Sequence, residues 1–231
     1  MEVLSQLAPF TVRSQHRYLR ADTLTPTGVF LRLRDRFANP VLLENKAPYG
    51  DGAAYSYLCF EPVARFEFDG SVVKTSYPDG STRQKTVSRK APLPDQLDRF
   101  RTCFEVPVTQ FPFQTTGLFG HTSNGVTQQS EAILPESVPS QIDVAEMMYQ
   151  VFRHVLVFHH QKKSLHLFEH SYSENPNAEP SDTLDTLVYW LKNQATPTYP
   201  FETTATDLTT LVVAGAGHRV AGRSPIYPAR W

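Results

Sequence analysis

Cysteine is scarce, with two in 231 residues, Cys59 and Cys103. Both sit in apolar surroundings without CxxC spacing, which excludes a disulfide framework and makes reduced thiols in a cytoplasmic compartment the expectation. Neither sign of charge is in excess. The 22 basic and 23 acidic residues leave a net charge of −1. No basic field draws in nucleic acid, and no acidic tail is present. No apolar run nears the roughly 20 residues of a membrane span. The N-terminus, MEVLSQLAPFTVRSQHRYLR, lacks the basic start and apolar stretch of a leader peptide. A soluble, cytoplasmic chain is expected, with neither nucleic acid nor membrane as partner.

Signatures of catalysis are also absent. There is no HExxH, no GxSxG elbow, no dinucleotide fingerprint and no GK[ST] phosphate loop. Residues 215–223, GAGHRVAGR, are glycine-rich and carry a cation, but lack the strand–loop–helix context of an anion site. The eight histidines include a group of five, His154, His159, His160, His166 and His170. No cysteine or carboxylate stands at ligand spacing from them, so no metal is expected. His154 and His166 are placed to approach across a hairpin, and His159 and His160 to point to opposite faces. Surface or edge positions are the simplest reading of the group.

What the sequence does have is aromatic and apolar mass. Hydrophobic residues make up 40%, with 15 Phe and 10 Tyr. That is enough for a sizeable core and tilts the chain toward sheet. The 18 prolines are scattered, as suits many short elements. Residues 10–20 read as an edge strand. Thr25 and Pro26 open a helix with Val29, Phe30, Leu33 and Phe37 on one face. Its basic face, Arg32, Arg34 and Arg36, reads as solvated. Residues 54–88 read as an antiparallel meander with a turn at Pro78-Asp79-Gly80.

A helix is expected at about 93–104, and irregular chain over 105–116. The strands MMYQVFRHVLVFHH and SLHLFEHSY are joined at Gln161-Lys162-Lys163. A helix capped by Ser181 runs to Asn193, and a short strand, YPFET, and a last helix at 206–220 follow. The element order is not a βαβα alternation, so an α+β fold is expected, with mainly antiparallel β-sheets flanked by helices.

The stretch 40–68, PVLLENKAPYGDGAAYSYLCFEPVARFEF, pairs two apolar runs with a carboxylate (Glu44), an amide (Asn45) and a hydroxyl (Ser56). Apolar strands with a few polar groups suit the wall of a small-molecule pocket, and equally a plain core. LRLRDRFANPVLLEN followed by AAYSYLCFEPVA resembles the N-terminal region of anthranilate synthase component I, of the chorismate-utilising family that includes aminodeoxychorismate synthase. That family shows an aromatic and a proline, then Leu-Leu-Glu-Ser, then an aromatic-Ser-aromatic strand and a Pro. The similarity runs on collinearly over about residues 15–205. GLFGHTSNG matches Gly-Leu-Phe-Gly-Tyr-x-Ser-Tyr-Asp, with Glu131 at a later family Glu. VFRHVLVFHHQKKSLHLFEH matches a hairpin where Asp-His stands at His159-His160.

The resemblance implies a role beside tryptophan biosynthesis. Leu43, Glu44, Asn45 and Ser56 fall where the family lines its tryptophan feedback site, with Asn45 replacing a Ser. His121, Asn124 and Gly125 replace two Tyr and an Asp. Residues 1–205 are expected to be this domain. Residues 206–231 are expected to form a helix and a degenerate tail at the start of the chorismate-binding domain, where His218 and Gly222 keep the family spacing but Arg223 replaces an Asp. A frameshift would account for the tail GRSPIYPARW. The family's Mg2+ carboxylates and catalytic residues lie in the part beyond, so no catalytic residue and no cofactor are expected here. The resemblance implies four partners: an aromatic amino acid, a second copy covering an exposed sheet face, a separate chorismate-binding chain, and a glutamine amidotransferase subunit. It leaves three roles open, namely a regulatory domain, half of a split enzyme, and a degenerate interaction-only paralogue.

Overall fold

A computed structural model describes residues 10–44, 54–88, 91–123, 126, 145–173 and 183–193. The chain divides into Met1–Pro197 and Thr198–Trp231, and every described residue belongs to the first unit. The expected Ser181 cap, the strand YPFET, the helix at 206–220 and the boundary at 205 lie outside the described residues. So do Asn45, Asn124, Gly125, Glu131, His218, Gly222 and Arg223.

Nine strands and three helices make up these residues. They are β1 (Phe10–Arg20), α1 (Pro26–Leu33), β2 (Val41–Glu44), β3 (Tyr55–Asp69), β4 (Val72–Ser76) and β5 (Thr82–Thr86). Then come α2 (Leu93–Arg101), β6 (Phe104–Glu105), β7 (Phe119–Thr122), β8 (Met147–His159), β9 (Ser164–Ser173) and α3 (Thr183–Asn193). One sheet runs β5-β4-β3-β8-β9-β1-β6, with β2 added to β3 and β7 to β8. Every pairing is antiparallel except β1 with β6. The fold is therefore α+β, as the element order implied.

The two longest strands, β3 and β8, form the spine. The sequence reads as two runs interrupted at Glu61-Pro62, yet β3 is continuous over 15 residues. The interruption is absorbed by a bulge. Glu61 takes a left-handed φ of 54°, and the register shifts between Pro62 and Ala64. The Glu61 N–H leaves the ladder and donates to the Ala38 carbonyl at 3.1 Å. A proline cannot donate to a sheet, so a bulge is where it is tolerated.

The local signals for α1 hold at its start. The Thr25 hydroxyl accepts from the Gly28 N–H at 3.0 Å, and Pro26 occupies the first turn. The helix stops at Leu33, earlier than its apolar spacing implied. Pro40 ends the segment, and Asn39 before it adopts φ 46°. Phe37 still packs inward, against Phe60, His154 and Trp190.

The basic face of α1 is not simply solvated. The Arg32 guanidinium donates to the Leu191 carbonyl at 2.8 Å, one of the last-turn carbonyls that α3 cannot satisfy itself. The Arg36 guanidinium lies 4.7 Å over the Trp190 ring. These cations dock α1 on α3. Arg32→Ala should cost about 1 kcal/mol, the ordinary net worth of such a hydrogen bond. A urea midpoint equal to wild type would show that the contact contributes nothing.

The meander and the second hairpin form as their turns dictate. Gly80 takes φ 81°, and the Tyr77 N–H reaches the Ser81 carbonyl at 3.0 Å. Helix α2 ends at Arg101 rather than 104, because Phe104–Glu105 pairs with Phe10 and Thr11. The core has three parts. One lies under α1 and α3 around Leu58, Phe60, Leu156 and Leu187. A second gathers Phe10, Phe66, Tyr77 and Phe100. A third joins Cys59, Val157 and Phe168 to Leu43, Phe111 and Phe113.

Candidate functional site

Strand β2 pairs with the first half of β3, and Glu44 stands directly opposite Ser56. Directly opposed residues share a face, with Cβ atoms about 5 Å apart. The register therefore brings together two of the four residues singled out from the sequence. Leu43 is not with them. It opposes Tyr57 and packs in the aromatic cluster on the other face of the strand, because successive strand residues alternate sides.

Ser56 is 1% exposed, so its hydroxyl does not itself face solvent. Its Oγ is 2.7 Å from His160 Nε2. His160 is exposed, and its backbone is tied at both ends of the turn. Its N–H donates to the Ala54 carbonyl at 3.1 Å, and its carbonyl accepts from the Lys163 N–H at 3.3 Å. Glu44 is exposed and has no hydrogen bond or ion pair among the described residues. An unengaged carboxylate and an oriented imidazole thus flank a buried serine.

His160 is the site residue that the sequence did not single out for binding. Its sequence signals were the family hairpin match at His159-His160 and the Gln-Lys-Lys turn after it. That turn sets the β8–β9 hairpin and so places His160 beside the start of β3.

The other histidines overturn the surface reading. His154, His159 and His170 are buried, and His166 is partly buried. His154 does not meet His166 across the hairpin. In register it faces Glu169, whereas His166 faces Val157. The carboxylates of Glu61 and Glu169 stand 3.3 and 3.7 Å from the two His154 nitrogens. They favour the imidazolium. Burial and the Arg153 guanidinium oppose them and push His154 down to about 4.

His16 Nε2 lies 3.1 Å from His166 Nδ1, and both rings contact Phe111. Burial pushes His166 down to about 4, helped by His16, His159 and Lys162. Burial and Arg17 lower His16 as well. His170 Nε2 donates to the Thr115 carbonyl at 2.9 Å, and its Nδ1 accepts from the Ser14 hydroxyl at 2.8 Å. These rings pin the 111–116 segment onto the sheet and are structural.

Among the described residues no group of three His, Cys, Asp or Glu is placed to hold a metal ion. Cys59 and Cys103 are free thiols, and burial raises both pKa values. No described helix is long and apolar enough to cross a membrane. The large exposed hydrophobics among the described residues are Tyr18, Val106, Val108 and Tyr189, spread over β1, the segment after β6, and α3.

No family model matches the chain. It is 25% identical over 174 residues to anthranilate synthase component 1 of Lactococcus lactis subsp. lactis (strain IL1403), covering 74% of this chain and 35% of that protein. Among solved structures, anthranilate synthase component I from Streptococcus pneumoniae TIGR4 aligns over 76% of this chain and 36% of its own, at 20% identity and a TM-score of 0.41. The chain thus resembles anthranilate synthase component I over about a third of that protein's length.

Proposed function

We propose that the chain is an amino-acid-binding regulatory domain of the anthranilate synthase component I type. It serves tryptophan biosynthesis in the cytoplasm and is not catalytic by itself. The observation that carries this reading is the Glu44–Ser56 pair. The register sets an unengaged, exposed carboxylate opposite the serine whose hydroxyl anchors the His160 imidazole. A carboxylate accepts from the ammonium of an amino acid, and such charge-assisted bonds contribute about 1.5–3 kcal/mol. The sequence similarity supports the assignment to this family type.

Calorimetry with L-tryptophan tests it. The chain should bind, and Glu44→Gln should weaken binding roughly tenfold or more, the equivalent of that energy. Absence of heat and of a thermal shift with tryptophan, phenylalanine and tyrosine would overturn the reading.

A second reading, resting on the same similarity, is half of a split enzyme completed by a separate chorismate-binding chain. Mixing the two should then restore anthranilate formation, and no product on mixing counts against it. No cofactor is proposed for the chain alone.

A further inference from the structure

We infer that His160 recognises the carboxylate of the amino-acid ligand, and that Ser56 is the residue that positions it rather than a ligand contact. This rests on the amino-acid-binding reading above and names how the ligand's second charge is met. An α-amino acid carries an ammonium and a carboxylate on one carbon, so a site that selects it needs an acceptor and a donor a few ångströms apart. Glu44 supplies the acceptor.

The Ser56 hydroxyl is the obvious candidate donor, but it is 1% exposed and already engaged. His160 is exposed, and Ser56 Oγ at 2.7 Å holds one ring nitrogen. The other nitrogen, Nδ1, has no partner among the described residues. Fixing one nitrogen fixes the direction of the other. The backbone bonds from His160 to Ala54 and Lys163 fix the main chain from which the ring projects, and the Ser56 contact holds the ring itself.

Protonation then matters. Neutral imidazole has one N–H, and imidazolium has two. With both nitrogens protonated, Nε2–H donates to the Ser56 oxygen and Nδ1–H is free to donate to a carboxylate. With the ring neutral, the two nitrogens compete for one proton and the charge is lost. Carboxylate recognition therefore strengthens as the ring gains its proton. The titratable and charged groups around it are Glu44 on β2, Tyr55 on β3, His159 on β8, and Lys162 and Lys163 in the turn. His159 itself is buried edge-on against Tyr55, 4.8 Å between centroids, and burial lowers its pKa.

The test is calorimetry at about pH 6 and about pH 8, spanning the range in which imidazoles ordinarily titrate. The probes are L-tryptophan and tryptamine, which keeps the indole and the ammonium but lacks the carboxylate. The proteins are wild type, His160→Gln and Ser56→Ala. Wild type should bind L-tryptophan about tenfold tighter at the lower pH, the scale of one charge-assisted hydrogen bond. Tryptamine should change less than about twofold between the two conditions.

His160→Gln should abolish the pH step for L-tryptophan and leave tryptamine binding unchanged. Ser56→Ala should shrink the step without changing tryptamine binding. His160→Gln binding L-tryptophan as wild type does at both pH values overturns the inference and leaves the amino-acid-binding reading standing. So does a parallel loss of both probes, which is a structural effect. Wild type binding neither probe at either pH overturns the reading and this inference together. His160 lies in an exposed turn, and wild-type melting temperature in the variant confirms that the fold is intact.

Discussion

Gly120→Ala is expected to peel β7 from the sheet and cost at least about 3 kcal/mol. Gly120 opposes Tyr149 in the β7–β8 pairing. A Cβ built there falls onto the Met148 carbonyl oxygen, and lies 2.8 Å from the Met148 carbonyl carbon and from Tyr149 Cα. These are main-chain atoms of the spine strand and have no rotamer to escape into, so the shorter strand must give. Overpacking ordinarily costs about 1–3 kcal/mol, and a clash against rigid backbone belongs at the upper end or beyond. Detachment of β7 also uncovers Phe119, which packs on Tyr57 and Phe152, and separates the Thr122 and Tyr149 hydroxyls, 2.9 Å apart. For a domain of this size that loss corresponds to a fall in Tm of roughly 6–12 °C. Hydrogen exchange of residues 119–122 should rise with it. A variant that melts with wild type would show that the two strands are not in contact.

The second large effect is acid instability between about pH 6.5 and pH 4. His170 is 1% exposed, and burial pushes it down to about 4, only partly opposed by its bond to the Thr115 carbonyl. The unfolded chain's imidazole takes up a proton as pH falls below its ordinary value near 6.5, and the folded one does not until about pH 4. Between those limits the unfolded state binds more protons, so stability falls as pH falls. Above 6.5 both states are neutral and this contribution is complete. The difference for His170 is on the order of 3 kcal/mol.

His16, His159 and His166 are lowered in the same direction and add to the effect. Protonation of both His16 and His166 also sets two cations at the nitrogens now 3.1 Å apart. Urea midpoints should be flat above about pH 7 and fall steeply toward pH 5. His170→Gln should have a lower midpoint at neutral pH but a shallower decline. Equal wild-type midpoints at both ends of that range would exclude a buried neutral His170.

Much of the fold was legible in the sequence because its causes are local. Thr25-Pro26 opens a helix by side-chain capping and a preset φ, and Pro78-Asp79-Gly80 turns a chain whatever surrounds it. Alternating apolar strands separated by Gln161-Lys162-Lys163 can only pair back on themselves. The early ends of α1 and α2 were not legible, since Phe37 and Phe104 keep the helical spacing while packing from outside the helix. The continuity of β3 through Pro62 depends on a bulge satisfied by Ala38, a partner more than twenty positions away.

The candidate site divides in the same way. The motif order around residues 40–68 placed Glu44 and Ser56 by resemblance, and a two-residue period alone implies that Leu43 faces away from them. What the sequence by itself determined was most of the described elements, the antiparallel meander within 54–88 and the hairpin around Gln161-Lys162-Lys163, and the likeness to anthranilate synthase component I. Only the tertiary structure decided that Ser56 is buried under His160, that His154, His159 and His170 sit inside rather than outside, and that Arg32 and Arg36 bind α3. Each of these depends on which distant segment covers a face or meets a side chain. Strand register and the packing of remote segments settle that, and neither is written in local periodicity.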